Sequence, residues 1–487
     1  MSRTARRRLA ASALLLVAAC ADFGGANPGG DFGATPGGVK DLRLARELIA
    51  NGQVPPAEAL LVEGMFAEHD LGLAGSSCTL PLCLRAAAGV APDLDGEPHG
   101  WLQIGMSSAV DPSRWMHPST TYLMTVDVSG SMGWEQRGED YATPGALSRL
   151  LLHQLADQLR PQDRIAIVTY GSEVRVPLEL TAGDQRDAAH AVIDDLTTAG
   201  STNMEAGLER AYAIGRAAVD AGATSQVRIV LFTDEQPNVG ATAPTAFQQM
   251  VADGADDGVE MTVVALGLGI GAEMLQAMAH LRGANAFSLT DRGDIDDFMA
   301  DEFPLFTTPI AYDLALDVAA SAGVTLETGY GFPAGPGAEP TLEVSTVFLS
   351  KRRGAVLVSL AGDDQALAAL GADVHLAYAL TDGQRRTETL RAARDGAALD
   401  DRGQWFAQAS AAKTTALAIL TSAMHDAAVV YGGNHDAAAQ LLRDAHDRFA
   451  ADAAALGDPD LEPEVALVAE LLRLVESGAP QGSLYGP

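Results

Sequence analysis

From Thr121 to about Phe306 the chain repeats one pattern, a short apolar run of strand length followed by a longer amphipathic segment of helical period. Strands joined by helical crossovers run parallel, and a parallel sheet is covered by helices on both faces, so its strands are apolar throughout instead of alternating. The pattern therefore predicts a doubly wound, mostly parallel six-stranded α/β domain over 119–308, with strands at 122–128, 164–170, 174–180, 227–232, 261–266 and 286–289. Helices are expected over 146–159, 184–196, 205–221, 244–253, 271–280 and 294–302, with Pro244 at a first helical position, where its missing N–H has no intrahelical partner to lose. Only Gly171-Ser172-Glu173 separates the second and third strands. That link is too short for a crossover, so the third strand should be an antiparallel edge.

The flanking regions read differently. Residues 40–118 form an N-terminal extension that is helical to about 70, broken at Pro55-Pro56, and then carries a loop with Cys78 and Cys83 and a strand at 101–106. Beyond Phe306 the helical period stops. Strand-like runs at 311–318, 341–349, 355–360 and 374–380 predict a small β-sandwich-like region over 309–400. The remainder, 401–487, is Ala- and Leu-rich and helical, interrupted at Gly432-Gly433 and Asp458-Pro459, as a helical hairpin or bundle would be.

The first residues have the composition of an export signal: Arg-rich MSRTARRR, then LAASALLLVAA, then Cys20. That apolar core is shorter than the roughly 20 residues a permanent span needs. Val17-Ala18-Ala19-Cys20 resembles the lipobox of bacterial lipoproteins, which implies a signal peptide over 1–19 and an acylated Cys20. The mature chain would be lipid-anchored to the cell envelope, facing the periplasm or the cell surface. The Gly- and Pro-rich stretch 20–39 has little to bury and reads as a tether. Export would place Cys78 and Cys83 where disulfides persist, so they are expected to pair; two reduced thiols in a loop are the alternative. The formal net charge of −32 repels phosphate backbones and anionic headgroups, which argues against nucleic-acid binding and leaves the anchor as the membrane contact.

Three turns carry the chemistry. Asp127-Val128-Ser129-Gly130-Ser131-Met132 ends the first strand, Ala199-Gly200-Ser201-Thr202-Asn203 lies between two helices, and Thr233-Asp234 ends the fourth strand. In a doubly wound sheet ligands bind outside the carboxyl ends of the strands, so the three turns can converge. Asp127, Ser129, Ser131, Thr202 and Asp234 all offer hard oxygen donors. Such donors suit Mg2+, with Mn2+ or Ca2+ also possible. The three hydroxyls would be neutral direct ligands, and the two carboxylates could hold metal-bound waters. An ion held that way is under-neutralised and can take a carboxylate from another molecule.

This order of motifs resembles the metal-ion-dependent adhesion site (MIDAS) of von Willebrand factor type A (VWA) domains, which are Rossmann-like, over roughly 121–306. Many relatives have Gly after the final Asp; here Glu235 follows, an extra carboxylate that could alter metal affinity or repel an acidic ligand. The long loop 133–144 would overhang the site. Val54-Pro55-Pro56-Ala57-Glu58-Ala59, Met65-Phe66, Leu102-Gln103-Ile104-Gly105 and the run Gln158 to Arg164 resemble a group of bacterial VWA lipoproteins with an N-terminal extension. The resemblance implies a module that binds a protein partner presenting an acidic residue to the metal. An envelope scaffold acting through the C-terminal helices is the alternative, and a metal-dependent hydrolase a lesser one. No nucleophile elbow, HExxH, phosphate loop or full dinucleotide fingerprint occurs, so no enzyme is expected. The ten histidines are scattered along the chain, and His425 and His435, which lie near acidic residues, read as solvent-facing side chains without a ligand role.

Overall fold

The computed structural model describes residues 32–134, 143–234, 237–267, 272–303, 305–332, 342–394, 402 and 405–482. The leader, Cys20, most of the tether, most of the 133–144 loop, Glu235 and 268–271 lie outside the described residues. The strands are β1 (Gly33–Pro36), β2 (Gly38–Val39), β3 (Cys83–Pro92), β4 (Pro98–Ser107), β5 (Thr120–Asp127), β6 (Arg164–Tyr170), β7 (Arg175–Ala182) and β8 (Gln226–Thr233). They continue as β9 (Val259–Leu266), β10 (Ala284–Leu289), β11 (Pro309–Ala320), β12 (Thr325–Tyr330), β13 (Glu343–Ser350), β14 (Ala355–Ala361), β15 (Gly371–Leu380) and β16 (Arg385–Ala393). The α-helices are α1 (Arg43–Ala50), α2 (Val62–Ala67), α3 (Pro144–Gln158), α4 (Arg186–Asp194), α5 (Met204–Ala221) and α6 (Pro244–Asp256). After them come α7 (Ala272–Ala279), α8 (Arg292–Asp297), α9 (Asp364–Ala368), α10 (Ala409–Tyr431), α11 (His435–Leu456) and α12 (Glu462–Ser477).

Among the described residues seven strands form the first sheet, in the order β2-β10-β9-β8-β5-β6-β7. All neighbours run parallel except β6 and β7, the hairpin pair joined by the short link. Strand β5 is central and buried at all eight positions, which is why Tyr122 to Val126 reads as an apolar run interrupted only by Thr125. Apolar side chains of α5, α6 and α7 cover one face, and those of α3, α4 and the segment 295–306 cover the other. The expected mixed α/β domain is therefore present, with a seventh, two-residue strand at its edge. A strand that short has no period to read.

The second sheet corrects the expected boundaries. Among the described residues nine strands are linked in the order β12-β14-β4-β1-β13-β11-β15-β16, with β3 on the other side of β4. The path narrows to a single register pair between β1 and β4, Gly33 with Ser107, and the far strands meet again at a bridge between Ala88 and Arg394. Both groups of strands enclose one core that includes Leu102, Ile104, Val356, Leu314, Val347 and Val374. The β-rich unit thus takes three strands from 33–107 as well as those after 308. The stretch 20–39 is not a tether to its end: Gly33–Pro36 pairs with β13 and Gly38–Val39 with β10. A Gly-Ala-Thr-Pro strand and the Ala-rich β3 give almost no alternation, so neither stood out.

The outer face of β4 carries Trp101 and Gln103, and against it pack α1, α2 and the C-terminal helices in one further core. Helix α10 lies at its centre, which explains an Ala- and Leu-rich sequence without a polar stripe. The breaks at 432–434 and 457–461 separate α10, α11 and α12 where Gly432-Gly433 and Asp458-Pro459 stand. Arg46 of α1 binds both Glu68 and Glu464 of α12, tying the two ends of the chain together. Cys78 and Cys83 are joined in a disulfide with Cα atoms 5.7 Å apart. No helix among the described residues is long and apolar enough to cross a membrane.

Candidate functional site

Strand order positions the site. From β5 the chain crosses to β6 on one side, whereas β8, its neighbour on the other side, continues outward to β9, so a crevice opens beyond the carboxyl ends of β5 and β8. Asp127 is the last residue of β5, and Asp234 directly follows β8. Ser129 and Ser131 stand in the turn after β5, and Thr202 in the turn before α5; all five side chains are buried.

The contacts explain that arrangement. Asp127 accepts the Ser129 backbone N–H at 2.8 Å, folding the turn back over the strand end. The Ser129 and Ser131 hydroxyls lie 3.0 Å apart, and Ser131 donates to Asp234 Oδ1 at 3.1 Å. The turn before α5 is docked on the same place, because Gly130 N–H donates to Gly200 O at 3.0 Å and Ala199 N–H to Val128 O at 2.8 Å. Gly200 has φ +87° and a Cβ there would sit 2.2 Å from Ser172 Oγ, so glycine is required where this turn passes over the β6–β7 link.

Thr202 is held differently from the other four. Its backbone N–H donates to Asn238 Oδ1 at 2.9 Å and its carbonyl accepts from the backbone N–H groups of Asn238 and Val239, fixing the turn without using the Thr202 hydroxyl. Its hydroxyl Oγ1 is fully buried and has no hydrogen-bond partner among the described residues. Burying an unsatisfied hydroxyl costs about 1–3 kcal/mol, so a rigidly held turn that presents one calls for a ligand. A divalent cation fits this donor set: neutral hydroxyls from Ser129, Ser131 and Thr202, with Asp127 and Asp234 supplying charge.

Three supporting residues were not singled out from sequence. Thr233 donates its hydroxyl to Asp127 Oδ2 at 3.3 Å, and Asn238 fixes Thr202 as described. Tyr170 is buried beneath the site and donates to Phe232 O at 3.1 Å; burial and the neighbouring Asp127 charge hold its phenol well above the ordinary value, so it stays a neutral donor. Only the adjacency of Thr233 to Asp234 could have flagged any of them. Trp134, at the rim after Ser131, is 64% exposed, and Val239 is exposed beside Asn238.

A profile of the von Willebrand factor type A domain matches residues 124–301. The uncharacterized protein YfbK of Escherichia coli K12 is 31% identical over 229 residues, which are 46% of this chain and 38% of that protein; the chain thus spans about two fifths of that relative's length. Among solved structures, a von Willebrand factor type A protein from Catenulispora acidiphila superposes with a TM-score of 0.51 at 15% identity, covering 84% of this chain and 99% of that one. The proximal thread matrix protein 1 of the mussel byssus, solved with a zinc-occupied MIDAS motif, aligns with 38% of this chain and 44% of its own at 20% identity and a TM-score of 0.29.

Proposed function

Since residues 124–301 are a von Willebrand factor type A domain, we propose that this chain is a lipid-anchored envelope protein that grips an acidic residue of a protein partner through a bound divalent cation. The unpartnered, buried Thr202 hydroxyl is the observation that carries this reading. When bound, the cation supplies a positive centre able to accept a foreign carboxylate. The chain's own residues shape that centre. Ser129, Ser131 and Thr202 contribute oxygen without charge, Asp127 and Asp234 hold position through their hydrogen bonds, and burial keeps competing water out. The hardness of the donors favours Mg2+, with Mn2+ or Ca2+ able to substitute. The partner meets an apolar rim at Trp134 and Val239 beside the charge. The role is one of binding, not catalysis. Among the described residues the helices α10 to α12 spend their apolar faces on α1, α2 and the sandwich, which favours the strand-end site over the C-terminal region as the contact.

Thr202→Val gives a sharp test, because valine keeps the shape and removes the orphaned hydroxyl. Without metal the variant should be as stable as the parent or more so. Mg2+ at about 100 times its dissociation constant should stabilise the parent by about 2.7 kcal/mol and the variant hardly at all. Thermal unfolding with and without Mg2+, alongside Asp127→Ala, reads both. A parent that ignores millimolar Mg2+ and Mn2+ would remove the basis of the proposal.

The anchor is tested separately. A cell expressing the full chain should incorporate a radiolabelled fatty acid into it, and Cys20→Ala should abolish the label and release the protein from the membrane fraction. An unlabelled parent would show that export, if it occurs, does not end in lipidation.

A further inference from the structure

A cluster of two histidines and two carboxylates lies away from the strand ends, between α3 and α4. His153 and Asp157 are four residues apart on α3, and His190 and Asp194 four apart on α4, so each pair occupies one face of its helix. The pairs interlock crosswise: His153 Nε2 lies 3.2 Å from Asp194 Oδ1, and His190 Nε2 lies 3.0 Å from Asp157 Oδ1. The two imidazoles lie edge to edge, with ring centroids 4.9 Å apart and an interplanar angle of 23°, and their Nδ1 atoms face each other at 2.7 Å.

Proton bookkeeping makes this arrangement informative. A carboxylate only accepts, so each Nε2 must carry its hydrogen. A neutral imidazole has one N–H, which leaves a lone pair on both Nδ1 atoms. Two lone pairs at 2.7 Å repel unless a cation lies between them. A proton can serve, making one ring an imidazolium, and so can a metal ion. Several features favour the metal. Metal-binding histidines characteristically donate their other ring N–H to a carboxylate, and both rings do so here. The two carboxylates match the charge of a divalent ion. The rings are 31% and 27% exposed, so an ion can enter and the side chains can move.

We infer that His153 and His190 bind a transition-metal cation of the Zn2+ or Cu2+ class through their Nδ1 atoms, with Asp157 and Asp194 as the outer partners that orient the rings. Zn–N bonds of about 2.0–2.1 Å at a tetrahedral angle place two nitrogens about 3.3 Å apart, so the rings must move apart from 2.7 Å and turn until both Nδ1 lone pairs point at the ion. No third His, Cys or carboxylate among the described residues joins them as a direct ligand, and water completes the coordination. The site differs in kind from the strand-end one, since imidazole nitrogen suits Zn2+ and Cu2+ whereas hydroxyl and carboxylate oxygen suit Mg2+. It would clamp α3, which covers the sheet directly after the Asp127 turn, to α4.

The test uses the full chain freed of metal by chelation. Zn2+ binding is followed by calorimetry in excess Mg2+, and Co2+ by its visible absorption, which reports nitrogen ligation in a tetrahedral field. His153→Gln and His190→Gln should each weaken one Zn2+ equivalent at least tenfold and abolish the Co2+ bands; Asp157→Asn should weaken it by about tenfold. Asp127→Ala should leave that equivalent unchanged. Partial exposure of the histidines means the variants should unfold at the parent's temperature in the absence of metal, which separates a lost site from a lost fold. Zn2+ binding equal to the parent's in both histidine variants, or lost only in Asp127→Ala, would overturn the inference. So would a parent that binds no Zn2+ at millimolar concentration, and the pair would then simply share a proton.

Discussion

Arg228→Ala is expected to lower stability by about 3–5 kcal/mol, the largest effect of any single substitution in the first sheet. Arg228 lies on β8, fully buried within a parallel sheet, where a charged side chain is out of keeping with its neighbours. Its guanidinium donates to Met261 O at 3.1 Å, Gly283 O at 2.9 Å and Thr262 Oγ1 at 3.1 Å, and it pairs with Glu260. Tyr312 of β11 donates to the other oxygen of Glu260 and Phe348 of β13 lies under the guanidinium, so the cluster joins the end of the α/β domain to the sandwich. Alanine would leave Glu260 without its counter-charge and take a donor from the carbonyls of Met261 and Gly283, while the Thr262 hydroxyl would keep its bond to Asn285. Urea unfolding should show the midpoint falling sharply, and Arg228→Met with Glu260→Gln should recover part of the loss because the orphaned charge is then gone. A shift under 1 kcal/mol for Arg228→Ala would mean that water enters and solvates the cluster.

The second large effect concerns the C-terminal helices. Removal of residues 405–487 is expected to leave a remainder that does not fold to a monodisperse protein. Leu44, Leu48, Met65, Leu71, Trp101 and Leu357 share their core with Leu417, Leu420, Met424, Leu442 and Phe449. Each large apolar side chain returned to water costs about 1.5–3 kcal/mol, and the sum exceeds the whole stability of an ordinary domain. Size-exclusion chromatography and binding of a hydrophobic dye should report aggregated or dye-binding material. A soluble, compact 1–404 protein would show that the α1–α2 segment finds another way to cover itself. The same packing bears on how a role for the helices can be tested: substitutions at exposed positions in the intact chain, such as Val429, are cleaner than an isolated helical fragment.

The α/β domain was legible because its information is periodic and local. Continuous apolar strands, helical stripes and the short link before β7 each imply one geometry, and the motifs at Asp127, Thr202 and Asp234 stand at the element ends where that geometry brings turns together. The site residues could be named from order and spacing, but not the reason Thr202 is special, since an unpartnered hydroxyl is visible only once its surroundings are known. The β-sandwich was legible in part. Its later strands alternate, whereas β1 joins it through long-range pairing with Ser350 to Val347, and the Ala-rich β3 pairs with β4 in a hairpin that no alternation marks. The His153 and His190 pair was invisible for the same reason: thirty-seven residues separate two rings that meet across helices.

The chain passes from β1 in one sheet to β2 in the other with only Gly37 between them. Under the proposed anchoring, a load applied between the membrane and a partner held at the strand ends enters the body of the protein at this point. Strand β2 lies parallel to β10 and is fastened by Lys40 N–H to Ala286 O and by Asp41 to Ser288 N–H, so a pull along it is resisted by several bonds at once. Tension on the anchor would therefore be shared between both sheets from the outset, and the protein would bear mechanical strain as one body instead of being unravelled from its first residue.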